Sequence, residues 1–574
     1  MIFSASKKPG RTGGALPNDI DLIVIGSGVA GLTAALTAAL EGLSCLVLEH
    51  SQTLGGTSAR SSGTVWVPDN SYMQEAGHTG DRDRAETYLE ALVAGRSPDA
   101  IWRKYLDAAP QMQRDLATRA EIGFRPFPTA PDYRQDKPGA ADGWRAMEPL
   151  PFDGRSLGPD FEALSPPLPE LMLFGGLMVT RGEAMTLLRA DRSISAAALG
   201  AQLVGRYALD RLSYSRGTRL VLGNALVARL LKAALDRGVI VRRKVATQSL
   251  LREGDRVCGV DVIYDGENQR IMARAGVVLA GGGFPASPDW RAQELPAPVA
   301  EYTAAAPGCL GKTLELAGDV GGSLGPSGID NALWFPSSVA HRNDGSLAVY
   351  PHIVLDRAKP GSIIVDQSGQ RFANEAVSYH EFVRAMYRAN KATDAIPAWM
   401  ICDRAFIRKY GLGLIRPRTP SLRKYVKNGY LVQANTASDL ADKLTVPAAA
   451  LAKTIKRFNH FAKTGRDEDF GRGETIYDRS NGDGAHGPNP CLGEIGLGRF
   501  YAVRLYPTPL GTSRGLSADP QARVLNADGQ PIPGLYVCGN DMQSAFGGEY
   551  PGAGGQLGQA MTFGWIAARH AAGL

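Results

Sequence analysis

The chain has 574 residues, 44% of them hydrophobic, which is enough to bury a large core and suggests two to four domains. Its 63 basic and 57 acidic residues give a net charge of +6 without a long basic run, so nucleic acid is not a predicted partner. The cysteines form no CxxC pair and the histidines no HxxxH cluster, so a metal site is not predicted. Scattered cysteines of this kind are typical of reduced thiols in the cytoplasm.

Residues 1–18 predict a loose N-terminal tail, because they are basic and glycine-containing and lack the continuous apolar core of a secretory signal. No later stretch has the uninterrupted apolar length that a membrane span needs. The sequence therefore predicts a cytoplasmic protein. Peripheral contact with a membrane surface stays open as an alternative.

The first ordered unit is a predicted β-strand, glycine turn, helix and second strand between residues 21 and 49. The turn carries Gly26, Gly28 and Gly31, and the second strand ends at Glu49. Glycines permit a tight turn and close approach of a pyrophosphate to the helix N-terminus, while the acid can accept a hydrogen bond from a ribose hydroxyl. Because all these parts fall in register, the unit predicts dinucleotide binding.

A second small-residue loop follows at once and favours FAD over NAD. Backbone donors in such a loop can wrap a pyrophosphate and a flavin edge, and flavoproteins of the glutathione-reductase and fumarate-reductase type carry a similar loop after the ribose-binding acid. An apolar segment, residues 65–68, is predicted to anchor it. The cofactor residues predicted here are Gly55, Gly56, Thr57, Ser58, Ser62 and Gly63.

Further along the chain, Val245 opens a segment that resembles the strand passing under the adenine in this flavoprotein group. Residues 256–263 and 270–275 predict a hairpin, and residues 276–284 a buried strand that ends in glycines, among them Gly281. This second glycine run is not a GxGxxG pattern, so no separate nicotinamide-binding domain is predicted. Residues 150–215 stay open between core packing or a subunit contact and a lip that admits an apolar substrate or touches a membrane.

The composition changes near residue 330 and returns near 498. We therefore predict an α/β protein in which a Rossmann-type FAD-binding domain (19–329 and 498–574) is interrupted by an inserted α+β substrate, or capping, domain (330–497). The interface between the two is the expected place for a site. Near the C-terminus, Gly539 and Asn540 follow a strand and lead into the stretch 547–564.

That stretch, GGEYPGAGGQLGQAMTFG, places one tyrosine, Tyr550, before a run of glycines and a helix. Glycines allow backbone N–H groups to approach a ligand, and the first turn of a helix offers unpaired N–H groups to an electron-rich ring edge or an oxyanion. Gly555 and Leu557 are therefore predicted to face the flavin ring.

The motifs together resemble the FAD-dependent 3-oxosteroid Δ1-dehydrogenases of the fumarate reductase and succinate dehydrogenase flavoprotein superfamily. The resemblance covers nearly the whole chain after the tail. The motifs that carry it are SGTVWVPDN (62–70), PDY (131–133) with Pro138-Gly139, RFANEAVSY (371–379), EYPGAG (549–554) and AMTFG (560–564).

The resemblance implies roles for four residues. Tyr550 and the amide of Gly554 would hold the ketone oxygen, Tyr379 would be the base that takes the α-proton, and Tyr133 would assist by hydrogen bonding. A phenol has a pKa near 10, so the base requires either a lowered pKa or a proton relay. Non-covalently bound FAD would accept the β-hydrogen as hydride, and a quinone or another carrier would then take the electrons.

The substrate implied is an apolar cyclic ketone, first a 3-oxosteroid and second a small alicyclic ketone such as cyclohexanone. Two departures from the family pattern bear on that choice, Ala553 in place of a proline and an acid at Glu549, which would disfavour an enolate if it faced the site. Dicarboxylate reduction is poorly supported, because Tyr379 stands where fumarate reductases carry an arginine and no HGxNR pattern occurs near the C-terminus. A non-catalytic flavin redox protein is the alternative from another class.

Overall fold

The computed structural model describes residues 10–187, 193–496 and 498–574. Its strands, in chain order, are β1 (Asp19–Ile25), β2 (Cys45–Glu49), β3 (Val65–Trp66), β4 (Phe124–Pro126), β5 (Ala146–Pro149), β6 (Phe152–Asp153), β7 (Arg219–Leu220), β8 (Ile240–Arg243), β9 (Ala246–Glu253), β10 (Arg256–Tyr264), β11 (Glu267–Leu279), β12 (Ala332–His341), β13 (Leu347–Pro351), β14 (Ser362–Val365), β15 (Ala398–Asp403), β16 (Val432–Ala434), β17 (Phe500–Thr512), β18 (Arg523–Leu525) and β19 (Pro531–Val537).

The α-helices are α1 (Val29–Leu40), α2 (Ser71–Glu75), α3 (Asp81–Val93), α4 (Asp99–Ala120), α5 (Arg181–Leu187), α6 (Ile194–Asp210), α7 (Leu222–Asp236), α8 (Pro288–Glu294), α9 (Lys312–Asp319), α10 (Tyr379–Thr393), α11 (Arg404–Tyr410), α12 (Arg423–Lys427), α13 (Ala437–Leu444), α14 (Ala448–Thr464), α15 (Ile476–Asn481) and α16 (Gly555–Ala571). Short 3-10 segments lie at Gly56–Arg60, Gly154–Ala163, Pro169–Leu171 and Gly539–Asp541.

The first sheet has the strand order β18-β19-β11-β1-β2-β8, and the strands from β19 to β8 run parallel to their neighbours. Parallel strands covered by helices on both faces are buried throughout, which explains the continuous apolar runs of β1 and β2. The carboxyl ends of β1, β2, β11 and β19 therefore meet at one edge. The α/β class and the Rossmann-type FAD-binding arrangement predicted from the sequence are confirmed.

The turn between β1 and α1 requires two of its glycines. Gly26 has φ +110°, and a Cβ there would lie 2.2 Å from the Ala280 carbonyl oxygen at the end of β11. A Cβ on Gly31 would lie 2.0 Å from the Gly26 carbonyl oxygen. Any side chain would push helix and strand apart, so these glycines set how closely α1 approaches the sheet.

The predicted hairpin return and the predicted buried strand are one continuous strand, β11. Its first half pairs antiparallel with β10, and its second half pairs parallel with β1 and β19. The register against β1 shifts between Ile20 and Leu22, opposite Gly276, which has φ +134°. The glycine that seemed to separate two strands is therefore the point where one strand bulges and changes partners.

The second sheet has the order β13-β12-β17-β15-β14, with β16 paired to β17. β17 pairs with β12 along one side and with β15 along the other. The predicted boundary after residue 497 assigned this strand to the FAD-binding domain, whereas its hydrogen bonds lie in the sheet of the inserted part. The chain returns to the first sheet only after Thr512, where Leu516 donates its N–H to the Asp541 carbonyl oxygen (2.6 Å). The domain bounds as a whole stay a prediction.

The segment 168–212 exposes large apolar side chains. Phe174 is 70% exposed, Ile194 92%, Leu209 70% and Leu212 82%. Two helices of this segment, α5 and α6, are described, and residues 188–192 lie outside the described residues. Core packing does not account for these four side chains. Throughout the described ranges, no helix is long and apolar enough to cross a membrane.

Candidate active site

A cavity of ≈ 690 Å³ lies where the carboxyl edge of the first sheet faces the second sheet. All four predicted catalytic residues line it: Tyr133, Tyr379, Tyr550 and Gly554. Twelve of the predicted cofactor residues also line it: Gly26, Gly28, Glu49, Gly56, Thr57, Ser58, Ser62, Val245, Gly281, Gly539, Asn540 and Leu557. Residues predicted to bind a dinucleotide and residues predicted to act on a ketone thus share one enclosed space.

The other four predicted cofactor residues, Gly31, Gly55, Gly63 and Gly555, shape the backbone behind the wall. A Cβ on Gly55 (φ +107°) would lie 2.8 Å from a methyl group of Val227, and a Cβ on Gly63 (φ +69°) would lie 2.6 Å from the Gly223 nitrogen. Both glycines let the small-residue loop pack against α7. These two glycines therefore position the loop. Direct contact between them and the cofactor stays a prediction.

Glu49 is fixed at the end of β2 by hydrogen bonds to its carboxylate. Its Oε2 accepts from the Ser27 N–H (3.0 Å) and hydroxyl (2.5 Å), and its Oε1 accepts from the Ser51 N–H (2.8 Å). The carboxylate is buried and still lines the cavity beside the N-terminus of α1. This placement suits an acceptor for a ribose hydroxyl, the role that the sequence predicts.

The same end of the cavity fits FAD. Gly28 is the N-cap of α1, with extended backbone and no side chain to obstruct an approaching phosphate. Thr57 and Ser58 add hydroxyl groups, and Val245 and its neighbours to residue 248 close the far wall. A dinucleotide requires backbone donors at a helix N-terminus, small residues that let its phosphates approach, and a carboxylate that accepts from a ribose hydroxyl, and this end of the cavity provides all three.

Three tyrosines meet at the other end of the cavity. The Tyr133 and Tyr379 hydroxyls are 2.8 Å apart, and either can be the donor. The Tyr550 ring centroid is 5.3 Å from that of Tyr133 and 5.6 Å from that of Tyr379. Phe335 on β12 closes the group, with its centroid 4.3 Å from that of Tyr379. The sequence predicted the three tyrosines but missed Phe335. The alternating pattern of a strand shows which side chains face inward, but it does not show which residues of other segments they contact.

Two backbone features hold these rings. Tyr379 is the first residue of α10, whose N-cap Ser378 accepts a hydrogen bond from the Glu381 N–H (3.3 Å). The Tyr133 N–H donates to the carbonyl oxygen of Pro551 (3.0 Å), the residue after Tyr550. Each tyrosine is therefore held on a short, hydrogen-bonded stretch of backbone.

Burial controls how the three phenols titrate. It raises the pKa of Tyr379 and of Tyr133 well above the usual value, and it also raises the pKa of Tyr550. All three are neutral phenols at neutral pH, because an apolar site disfavours the charged form. Of the two routes to a base that the sequence left open, a lowered pKa and a proton relay, the arrangement favours the relay.

Gly554 lines the cavity at a turn of the chain. It has φ +91°, and a Cβ there would lie 2.3 Å from the Thr64 carbonyl oxygen, so no other residue fits. Its carbonyl oxygen accepts from the Trp66 N–H (3.1 Å). Within the described part of the chain, the Gly554 N–H has no acceptor. This donor is available beside the Tyr550 hydroxyl, at the start of α16.

Glu549 does not line the cavity and faces three arginines, of which Arg384 is buried and the other two are half-buried. Its carboxylate lies 3.0 Å from Arg384, 3.1 Å from Arg96 and 3.8 Å from Arg134. The acid that would disfavour an enolate if it faced the ketone is thus neutralised by these arginines. The departure from the family pattern at this position belongs to an ion cluster and does not alter the ketone end.

Helix α10 also clamps the loop that carries Tyr550. Arg384 donates from Nη2 to the Gly548 carbonyl oxygen (2.9 Å) and from Nε to Asp330 (2.7 Å). Nε2 of His380 lies 3.1 Å from the same Gly548 oxygen, and burial lowers the pKa of His380 well below its usual value, so the ring is neutral and donates there. Sequence reasoning missed both residues, because their partners lie far away in the chain.

Comparisons with known proteins agree with this site. A family model described as an FAD binding domain matches residues 21–557. The 3-oxosteroid 1-dehydrogenase of Mycolicibacterium smegmatis is 36% identical over 565 residues, covering 96% of each chain. The 4-oxocyclohex-2-ene-1-carboxylate 5-dehydrogenase of Sinomonas cyclohexanicum is 35% identical over 560 residues, covering 96% of this chain and 94% of its own.

A solved structure extends the likeness to three dimensions. The 3-ketosteroid delta1-dehydrogenase from Sterolibacterium denitrificans, crystallised with 1,4-androstadiene-3,17-dione, superposes with a TM-score of 0.91 at 38% identity, covering 97% of this chain and 100% of that one. The cofactor is therefore FAD, and the protein is a flavin-dependent oxidoreductase of the class that acts on CH–CH groups. The chain belongs to the family of FAD-dependent 3-oxosteroid 1-dehydrogenases.

Proposed function

We propose that the protein introduces a double bond next to the carbonyl of a cyclic ketone, with 1,2-desaturation of a 3-oxosteroid as the first choice. The observation that carries the proposal is the single cavity in which a hydrogen-bonded tyrosine pair faces a second tyrosine and a glycine amide, beside the residues that fit FAD. The relatives from Mycolicibacterium and Sterolibacterium support a steroid.

Tyr550 and Gly554 would hold the ketone oxygen. The neutral phenol and the free amide are both donors, and they are fixed by the turn of the glycine loop before any substrate arrives. Donors preorganised in a dry site stabilise the negative charge that develops on the oxygen when an α-proton leaves. With Glu549 turned toward arginines, no carboxylate opposes that charge from this loop.

Tyr379 would take the α-proton, and Tyr133 would carry a proton onward through their 2.8 Å hydrogen bond. Tyr133 also lines a second cavity of ≈ 640 Å³, together with Asp136, Tyr477 and Asp478. One phenol therefore belongs to the walls of both spaces, which gives the proton a short way from the apolar cavity to solvent. When bound, FAD accepts the β-hydrogen as hydride.

A small alicyclic ketone is the second candidate substrate. The Sinomonas relative, whose name gives a six-membered cyclic keto acid as its substrate, matches this chain as well as the steroid enzymes do. The tyrosine machinery handles one ketone-bearing ring, so it fits either substrate. The cavity residues that lie beyond the ketone-bearing ring would therefore determine whether a steroid or a small ring is the better substrate.

The electrons would leave FAD to a quinone or another carrier, and we propose that the exposed apolar side chains of residues 168–187 and 193–212 rest on a membrane surface. Phe174 and three exposed apolar residues of α6 and its flanks, Ile194, Leu209 and Leu212, would reach the lipid. An apolar surface of this kind is typical of interfacial contact. It would bring the cavity close to membrane-dissolved substrates and acceptors.

Anaerobic flavin reduction tests the function. The purified yellow protein should bleach when it is mixed with a 3-oxosteroid or with cyclohexanone, and the faster substrate identifies the class. Tyr550→Phe and Tyr379→Phe should retain FAD but reduce it about 100-fold more slowly or worse, because each loses a group that acts in the transition state. Tyr264→Phe is the matched control, since that hydroxyl donates only to the Gly14 carbonyl oxygen at the surface (3.1 Å). Unchanged rates in both site variants would refute the assigned roles.

A further inference from the structure

The cavity wall carries a cation that the proposed reaction does not use. Arg181, the first residue of α5, lines the same cavity as the three tyrosines. Its guanidinium lies 5.6 Å from the ring centroid of Phe127, which lines the cavity together with Tyr133, Tyr379 and Tyr550. Nearby, Phe127, Leu168 and Val179 make the lining apolar.

Among the described residues, Arg181 has one long hydrogen bond and one aromatic contact. Nη2 donates to the Asn481 side-chain oxygen at 3.4 Å, and the guanidinium stands 5.6 Å from the Phe127 ring centroid. No carboxylate of the described residues lies within ion-pair distance of it. A guanidinium has five N–H donors, so most of them are left for a ligand.

Its neighbours make a clear contrast. Glu183, on the same helix as Arg181, pairs with Arg219 of β7 at 2.6 Å. Glu170, in the 3-10 segment Pro169–Leu171, pairs with Arg342 at 2.6 Å. Glu183 is two residues from Arg181 and is directed to Arg219 and to the Thr180 N–H. The carboxylates of this region are thus used by other arginines, and Arg181 is left facing the cavity.

We propose that Arg181 binds an anionic group of the substrate, so that the cavity prefers a cyclic ketone that carries a carboxylate. The ketone would lie at Tyr550 and Gly554, and the carboxylate would meet the guanidinium in a charge-assisted, bidentate contact. A carboxylated cyclohexanone and a 3-oxosteroid with a carboxylated side chain share this chemistry. The inference rests on the proposed function for the position of the ketone.

Binding and turnover of matched acid and ester pairs test the proposal. The probes are 4-oxocyclohexanecarboxylate and a 3-oxosteroid acid, each beside its methyl ester, with Kd from calorimetry on the FAD-loaded protein and rates from anaerobic flavin reduction. One acid should bind about 10- to 100-fold more tightly than its ester, the range expected for a charge-assisted contact. The pair that shows this preference identifies the source of the carboxylate.

Arg181→Gln should abolish the preference for the acid and leave the ester almost unchanged, while Arg181→Lys should keep part of it. Arg155→Gln removes an exposed guanidinium that pairs with Asp153 and does not line the cavity, so it should keep the full preference. Equal affinities of acid and ester in the wild type would overturn the proposal, as would an equal loss for both in Arg181→Gln, which would assign Arg181 to the tyrosines. Tight acid binding without any flavin reduction would refute the proposed function and leave the anion site standing.

Discussion

At the residue scale, the site depends on keeping three phenols neutral inside an apolar wall. Among the residues described, Tyr133 is the only one of the three tyrosines that lines both cavities. A neutral Tyr550 is useful as it stands, since a donor to the ketone oxygen must keep its proton. A neutral Tyr379 is useful only because a partner hydroxyl is 2.8 Å away and can share the charge.

The titration of this pair predicts the dependence of the reaction on pH. Burial raises the pKa of Tyr379 and Tyr133, so the ionised fraction keeps growing from pH 7 to pH 10, and flavin reduction at saturating ketone should accelerate over that whole range. Stopped-flow absorbance at the flavin band measures it. A plateau below pH 9 would contradict the prediction, because it would mean a lowered pKa.

The stability of the folded protein limits the highest pH at which this rate can be measured. Unfolded tyrosines lose their protons near pH 10, whereas the buried ones keep theirs, so the unfolded chain binds fewer protons and the free energy of unfolding falls above that pH. Circular dichroism at each pH shows where the rate still reports on folded protein.

At the scale of elements, helix α10 positions both Tyr379 and the loop that carries Tyr550. Its first residue is Tyr379, and one turn further Arg384 reaches the Gly548 carbonyl oxygen and Glu549, next to Tyr550. The spacing between the two tyrosines is therefore set by one helix and one buried ion cluster. A loop of glycines would otherwise have too many accessible conformations to fix a donor.

Arg384→Gln should lower kcat at least tenfold with a smaller change in KM, because the loop loses its clamp while the cavity keeps its walls. It should also reduce the free energy of unfolding by about 3 kcal/mol or more, since Asp330 and Glu549 are left buried with less compensation. Steady-state kinetics and urea unfolding measure the two effects. Arg457→Gln, at an exposed pair with Asp469, is the control; equal kcat in both variants would show that the clamp does not position Tyr550.

At the scale of the whole molecule, the exposed apolar side chains of residues 168–187 and 193–212 predict binding to lipid. Sedimentation with neutral phosphatidylcholine vesicles should recover the wild-type protein, and the double variant Leu209→Ser/Leu212→Ser should lose most of that binding while flavin reduction by a soluble ketone is retained. Ile329→Ser removes another exposed apolar side chain, 62% exposed and outside the segment, and should change nothing. Failure of the wild type to sediment would favour a contact with protein for this surface.

Much of the molecule was predictable from local patterns in the sequence. Gly26, Gly28 and Gly31 with Glu49 identify a dinucleotide-binding unit, because tight turns and close helix packing restrict which residues fit. Such constraints act over a few residues, so they are visible in the chain itself. The roles expected of Tyr133, Tyr379 and Tyr550 came from the resemblance of their motifs to those of the 3-oxosteroid Δ1-dehydrogenases, and they stay a prediction.

Only the tertiary structure decided what these pieces meet. β17 has the strand character predicted for it, but pairing along both its edges is what places it in the second sheet. In the sequence, Glu549 is an acid next to the tyrosine expected at the ketone, and only the fold shows that its carboxylate pairs with Arg96 and Arg384. No sequence motif marks Arg181, whose place in the cavity wall depends on the fold. Contacts between distant segments depend on packing of the whole chain, so the pattern of any one segment does not contain them.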